Sequence, residues 1–226
     1  MKEIKTVAAY GRDEHVEKKS RFIGQAWPVE SENEVKEILA KTRKEYWDAS
    51  HNVYAYILSP GQTDGPGAMP LQKFSDDGEP GGTAGKPCLD VIAGQGLSNV
   101  LVIVTRYFGG TLLGTGGLVR AYTKGAQIAL AAASVIEKKV YYTGSIRMDY
   151  ASLAKIQYLA GKMPLEEVSI AETAYAQDVS MSLLVREDVW ESFSEQIIKA
   201  TDGRLSIQKE RRVLAAKVGN KMKLFS

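Results

Sequence analysis

An α+β fold in two domains is expected for this chain on three observations. Strand-like and helix-like segments alternate through the first part, the rest follows the order βαββαβ, and one pattern gives way to the other near residues 137–141. At 226 residues and 44% hydrophobic, the chain can bury a core. Residues 20–29 (Ser-Arg-Phe-Ile-Gly-Gln-Ala-Trp-Pro-Val) combine aromatic and β-branched side chains and predict a strand. Ser31 stands three residues before Glu34 as a capping box, and Val35, Ile38, Leu39 and Thr42 follow at helical spacing. Residues 52–58 alternate Val53, Ala55 and Ile57 against Tyr54 and Tyr56, a second strand. Residues 59–70 are a loop rich in proline and glycine, with 61–70 resembling a mobile insertion. A short helix is expected over 87–93, with Pro87 in its first turn. The run Val-Leu-Val-Ile-Val inside 99–105 predicts a central strand buried on both faces. A helix follows over 118–133, with a stripe through Leu118, Ala121, Tyr122, Gly125, Ile128, Ala129 and Ala132. In the second part, strands at 141–148, 168–175, 179–185 and 205–212 alternate with helices at 152–162 and 188–200, which is the ferredoxin-like split βαβ order. The domains are therefore taken as residues 1–136 and 137–226.

Net charge is +2, so the overall balance does not single out a nucleic-acid binder, and no DNA partner is expected. Seven cations (Arg204, Lys209, Arg211, Arg212, Lys217, Lys221, Lys223) nevertheless face the one acid Glu210 near the C-terminus, either as a solubilising frayed tail or as a polyanion contact. The single cysteine, Cys88, excludes an internal disulfide framework and suits a reducing compartment. The first residues have no apolar signal core and no apolar run approaches membrane-spanning length, so a soluble cytoplasmic protein without a membrane partner is expected.

Two glycine-dense segments carry the functional signal. The first, Ser75-Asp-Asp-Gly-Glu-Pro-Gly-Gly-Thr-Ala-Gly-Lys-Pro87, is acidic through Asp76, Asp77 and Glu79 and includes Thr83. The second, beginning at Val104, carries Arg106, Tyr107, Gly109 and Gly110, then Gly114, Gly116 and Gly117, then Arg120 and Tyr122. Its glycines lead from a buried strand into a helix start, where free backbone amides and the helix dipole favour an anion such as phosphate. Arg106 and Arg120 would add bidentate contacts to the same oxygens. The alternative is a tight turn whose glycines serve close packing. The three carboxylates could hold a hard divalent cation, brace the turn by accepting backbone amides, or pair with the two arginines. His51, beside Asn52 at a strand start, is a candidate general base. Cys88 follows Pro87 at the edge of an apolar stretch, where a small buried thiol is expected rather than a nucleophile paired with His51. Only His15 joins His51, which excludes a histidine-rich metal site.

Taken together these segments resemble the IMPACT family, and within it the bacterial YigZ-type proteins. The residues that carry the resemblance are Lys19-Ser-Arg-Phe-Ile23, His51-Asn52, Ser75-Asp-Asp-Gly-Glu-Pro80, Thr83-Ala-Gly85, Pro87, Val104-Thr-Arg-Tyr-Phe-Gly-Gly110 and Leu113-Gly-Thr-Gly-Gly-Leu-Val-Arg-Ala-Tyr122. They cover most of residues 17–133, whereas the second domain matches by pattern and position. The resemblance implies a ribosomal-protein-S5 domain-2-like α/β fold followed by a ferredoxin-like domain, an arrangement similar to domains IV and V of elongation factor G. Eukaryotic relatives regulate translation through the kinase pathway that senses amino-acid starvation, using further domains not carried by this chain, so that partner is not transferred. One departure is Val53, where a cysteine is expected in many members; a cysteine-based reaction there is excluded.

The function expected on these grounds is a translation-associated RNA- or ribosome-binding regulatory factor without chemistry or cofactor of its own. Its groove would be lined by His51, Asn52, the acidic turn, Thr83, the glycine loops and both arginines, with Tyr107, Phe108 or Tyr122 stacking on a base where exposed. A phosphotransferase holding Mg²⁺ on the acidic turn, a metal-assisted hydrolase using His51, and a groove for a protein partner are the alternatives.

Overall fold

The computed structural model describes residues 3–60 and 68–225, so most of the expected insertion at 61–70 lies outside the described residues. The chain divides into two compact units, Lys5–Ile136 and a second running from Glu137 onward that also takes in Glu3 and Ile4. Both strands and helices build each unit.

A short strand β1 (Ile4–Val7) opens the chain where the division between the units falls; the first unit then has strands β2 (Gly11–Glu17), β3 (Ser20–Pro28), β4 (His51–Leu58), β5 (Leu71–Ser75) and β6 (Val100–Tyr107) and helices α1 (Glu32–Glu45), α2 (Gly85–Gly94) and α3 (Thr115–Ala133). Five strands form an antiparallel sheet ordered β2-β3-β6-β4-β5, which puts the apolar run of β6 at its centre. Alternation along β6 divides the core. Val100, Val102 and Val104 pack with Leu89, Ile92, Leu118 and Leu130 of α2 and α3, while Leu101 and Ile103 pack with Val35 and Leu39 of α1 on the other face. Each such side chain buried contributes about 1.5–3 kcal/mol, which makes β6 the best-anchored strand of the unit.

The expected capping box at α1 forms in part: Ser31 Oγ accepts from Glu34 N at 3.3 Å, while the Glu34 carboxylate accepts from Glu30 N, one residue before the cap, at 2.8 Å. The helices α2 and α3 each begin earlier than their sequence patterns suggest, at Gly85 and Thr115, so Gly116 and Gly117 belong to the first turn of α3 rather than to a preceding loop. Strands β1, β2 and β5 were not expected. β2 and β5 are edge strands of largely exposed residues, and the β2–β3 turn is made by Lys18 and Lys19 at φ 44° and 68°, without the glycine that announces such turns.

The second unit contains β7 (Val135–Met148), α4 (Tyr150–Gly161), β8 (Val168–Tyr175), β9 (Val179–Arg186), α5 (Trp190–Ala200), β10 (Gln208–Val218) and β11 (Lys221–Phe225). Its strands are ordered β11-β10-β7-β9-β8, all antiparallel; without β11 this is the fourth-first-third-second order of the ferredoxin-like fold. One sheet face carries the core with Ile156, Phe193 and Ile197 from the two helices. Asp149 caps α4 by accepting from Ser152 N at 2.9 Å. Apart from Arg204, the cation-rich C-terminal stretch is the β10–β11 hairpin, not a frayed tail. Arg212 pairs with Glu187 at 2.9 Å, Lys217 with Glu166, and the Lys209 ammonium lies 4.0 Å from the Tyr142 ring.

Candidate functional site

The register of the first sheet assembles the site. Phe22 of β3 and His51 of β4 both lie opposite Arg106 of β6. Arg106 continues the Val100, Val102, Val104 row and therefore faces inward toward α3, where its side chain keeps 6% of its exposure. Such a buried cation needs a counter-charge, and Glu79, at 4%, supplies it: Arg106 Nη1 donates to Glu79 Oε1 at 2.6 Å. Tyr122 of α3 donates its hydroxyl to the same carboxylate oxygen at 2.7 Å. Arg106 Nη2 donates to Ser20 Oγ at 3.3 Å, and the guanidinium lies between the rings of Phe22 (5.5 Å) and Phe108 (5.4 Å). Arg106 Nε is buried without a hydrogen-bond partner among the described residues.

Two expectations are thereby corrected. Arg106 is locked inside the fold and does not present its guanidinium to an external phosphate. Tyr122 is fully buried, with burial and then the Glu79 hydrogen bond raising its phenol pKa, so its ring does not stack on a base. Ser20 and Phe22, absent from the expected site, belong to this network; both sit in the motif Lys19-Ser-Arg-Phe-Ile23.

The acidic turn is built from inside. Asp76 Oδ1 accepts from Ala84 N (3.1 Å) and Gly85 N (2.8 Å), and Oδ2 from Gly82 N (2.9 Å), which closes the loop and satisfies amides at the start of α2. Asp77 Oδ2 accepts from Asn52 N at 2.7 Å, and its Oδ1 pairs with Arg43 at 3.2 Å. The Asp77 carbonyl accepts from His51 Nδ1 at 2.8 Å, which places the proton on Nδ1 and leaves Nε2 3.8 Å from Glu79 Oε1. Asn52 Oδ1 accepts from Thr105 Oγ1 at 2.8 Å, and Thr83 Oγ1 donates to the Pro80 carbonyl at 2.7 Å. The three carboxylates are thus each committed to amides or arginine. Among the described residues no group of three or more His, Cys, Asp or Glu is placed to hold a metal ion.

Cys88 is fully buried, and desolvation followed by the nearby Asp76 charge raises its thiol pKa. Since the thiolate is the reactive form, Cys88 should resist iodoacetamide in the native protein at pH 8 and react fully in urea; mass spectrometry of both samples checks this. Native labelling at the denatured rate would contradict it.

The second glycine loop faces outward. Gly110 and Gly114 take φ of 79° and 72°, and Gly114, the N-cap of α3, provides no side-chain cap. No acid occupies the first turn, in which Gly116 is exposed and Gly117 partly so. Arg120 is exposed, and its Nη1 would lie 3.6 Å from a side chain placed at Gly116, so the guanidinium folds back over that turn. Gly109 lies against the β2–β3 turn: a Cβ there would come 2.1 Å from the Lys19 backbone, a spacing only glycine allows. Exposed Lys18 and Lys19 therefore border the loop. Tyr107 is half-buried and donates its hydroxyl to Asp48 at 2.9 Å.

An antiparallel sheet with helices on both faces and two glycine loops at one end, in a chain that also carries a ferredoxin-like unit, define a two-domain α+β class that comparison with known proteins identifies. The family model of the Impact N-terminal domain matches residues 18–130, and a domain of unknown function (DUF1949) matches residues 146–204. The chain belongs to the IMPACT family. It is 36% identical over 218 residues to the IMPACT family member YvyE of Bacillus subtilis, covering 96% of each chain. It is 37% identical over 195 residues to an IMPACT family member of Haemophilus influenzae, covering 84% of this chain and 89% of that one. A solved crystal structure of a hypothetical protein aligns at TM-score 0.55 and 30% identity, covering 93% of this chain and 98% of that one. Rattus norvegicus Protein IMPACT is 36% identical over 102 residues, 43% of this chain and 30% of that protein. Among the described residues no helix is long and apolar enough to cross a membrane.

Proposed function

We propose that this protein is a translation-associated factor that binds RNA, in the ribosome or free, through phosphate contacts at the start of α3. One observation carries the reading: Arg120 folds back over the uncapped, acid-free first turn of α3. The helix N-terminus already carries about half a positive charge, so a cation placed there is repelled unless an anion lies between them. Phosphate fits that position, held by the amides of Gly116 and Gly117 and by the guanidinium. Lys18 and Lys19 extend the positive surface beside it. The arrangement like domains IV and V of elongation factor G that the family resemblance implies favours RNA as the source of the phosphate. Asp76, Asp77 and Glu79, any of which could hold Mg²⁺ in a phosphotransferase, are already engaged by backbone amides, Arg43 and Arg106.

Co-sedimentation with ribosomes at two salt concentrations tests the reading. Arg120→Ala should weaken association roughly tenfold and lower the salt slope by about one, as loss of a phosphate contact does. Lys221→Ala/Lys223→Ala, on the β10–β11 hairpin, should change it little. Equal losses in both variants, or no association of the wild type, would overturn the proposal.

A further inference from the structure

Trp47 is 81% exposed, an unusual setting for a residue with so much apolar surface to bury. It sits in the turn after α1, and that turn is fastened to the end of β6. Ser50 N donates to the Arg106 carbonyl at 2.9 Å, Phe108 N donates to Ser50 Oγ at 3.1 Å, and the Tyr107 hydroxyl donates to Asp48. Trp47 and Ser50 are three positions apart in the chain, so their Cα atoms lie within about 11 Å of each other.

Phe108 is itself 48% exposed. The guanidinium of Arg106 lies 5.4 Å from its ring, and that guanidinium is fixed by Glu79, Ser20 and the Phe22 ring. The buried ion pair therefore supports an aromatic side chain from below and leaves its outer surface open. Two exposed aromatic side chains, Phe108 resting on Arg106 and Trp47 carried by the fastened turn, stand at one end of the sheet, with Lys18, Lys19 and the start of α3 on its border.

Resting on the phosphate site proposed above, we infer that Trp47 and Phe108 are a stacking platform for unpaired bases, so that the RNA this unit takes is single-stranded. Aromatic faces beside cations match the two repeating parts of a single strand, its exposed base faces and its phosphates. A duplex offers the phosphates but keeps its base faces stacked on one another. Tyr107 plays a positioning part, since its hydroxyl is spent on Asp48 and holds the Trp47 turn to the strand.

The test uses the full chain, a fluorescein-labelled oligouridine of about twelve nucleotides and an RNA duplex of the same length, read by anisotropy. Trp47→Ala and Phe108→Ala should each weaken oligouridine binding roughly tenfold and leave duplex binding unchanged. Trp47→Phe should retain most of the affinity. Tryptophan emission should change on oligouridine binding in the wild type, and this response should be lost in Trp47→Phe, because Trp190 is buried and Trp27 partly so. If both alanine variants bind oligouridine as the wild type does while Arg120→Ala loses it, the platform is overturned and the phosphate site stands. Failure of the wild type to bind either RNA overturns both. Binding of an isolated ribosomal protein in place of oligouridine also overturns the platform.

Discussion

Glu79→Ala should lower the stability of the first unit by about 3–5 kcal/mol, because it leaves the Arg106 charge buried and uncompensated. Against a total of about 5–15 kcal/mol for a typical domain, that leaves a marginal fold. Urea titration followed by circular dichroism measures the loss. Tyr122→Phe removes one hydrogen bond to the same carboxylate and keeps the ion pair, so about 1–3 kcal/mol is expected from it. The two effects separate charge compensation from hydrogen bonding. A third variant decides whether the pair itself stabilises the fold. Glu79→Met/Arg106→Met removes both charges and keeps apolar volume, and should recover much of the loss, since paired replacement of a buried salt bridge is often close to neutral. If the double variant is as unstable as Glu79→Ala, the contacts of Arg106 with Phe22, Phe108 and Ser20 carry more of the stability than its charge does.

The inward direction of Arg106 could not be taken from the sequence, although its place in a motif could. A half-buried strand shows which way each residue points by alternating apolar and polar side chains. The run from Val100 to Val104 is apolar on both faces and erases that signal. The counter-charge is 27 positions away in the chain and is brought in by the acidic turn. Arg120, by contrast, lies on a helix with a clear apolar stripe, and its outward direction follows from the spacing. The ferredoxin-like order was legible because β7 to β10 alternate with amphipathic helices. Strands β2 and β5 were not, since an edge strand needs little apolar content and Lys18-Lys19 replaces the expected turn residues. The exposure of Trp47 is not legible in the sequence, because the stripe of α1 ends at Thr42 and an aromatic residue beyond a helix end carries no sequence signature of exposure.

Gly24→Ala is expected to have an effect of similar size by a different route. Helix α3 crosses β3 so closely that a Cβ at Gly24 would lie 2.1 Å from the Gly125 carbonyl oxygen and 3.2 Å from Ala129 Cβ. On the other side of that contact, a Cβ at Gly125 would meet Val104 Cγ1 at 2.8 Å, so the helix cannot turn to make room. The obstacle is backbone rather than a movable side-chain tip, and α3 must lift. Overpacking of this kind reaches about 3 kcal/mol, or roughly 6–12 °C in Tm for a chain of this size. Gly94→Ala, at the end of α2 with nothing within 4 Å, is the control and should be neutral or slightly stabilising. The consequence extends beyond stability, because α3 carries both Tyr122, which holds Glu79, and the first turn with Arg120. Calorimetry combined with oligouridine binding at a temperature where Gly24→Ala is still folded separates the two effects. A folded variant with weakened binding would show that the glycine contact sets the position of the phosphate site. Unchanged binding would mean that the strain relaxes toward the C-terminal half of α3.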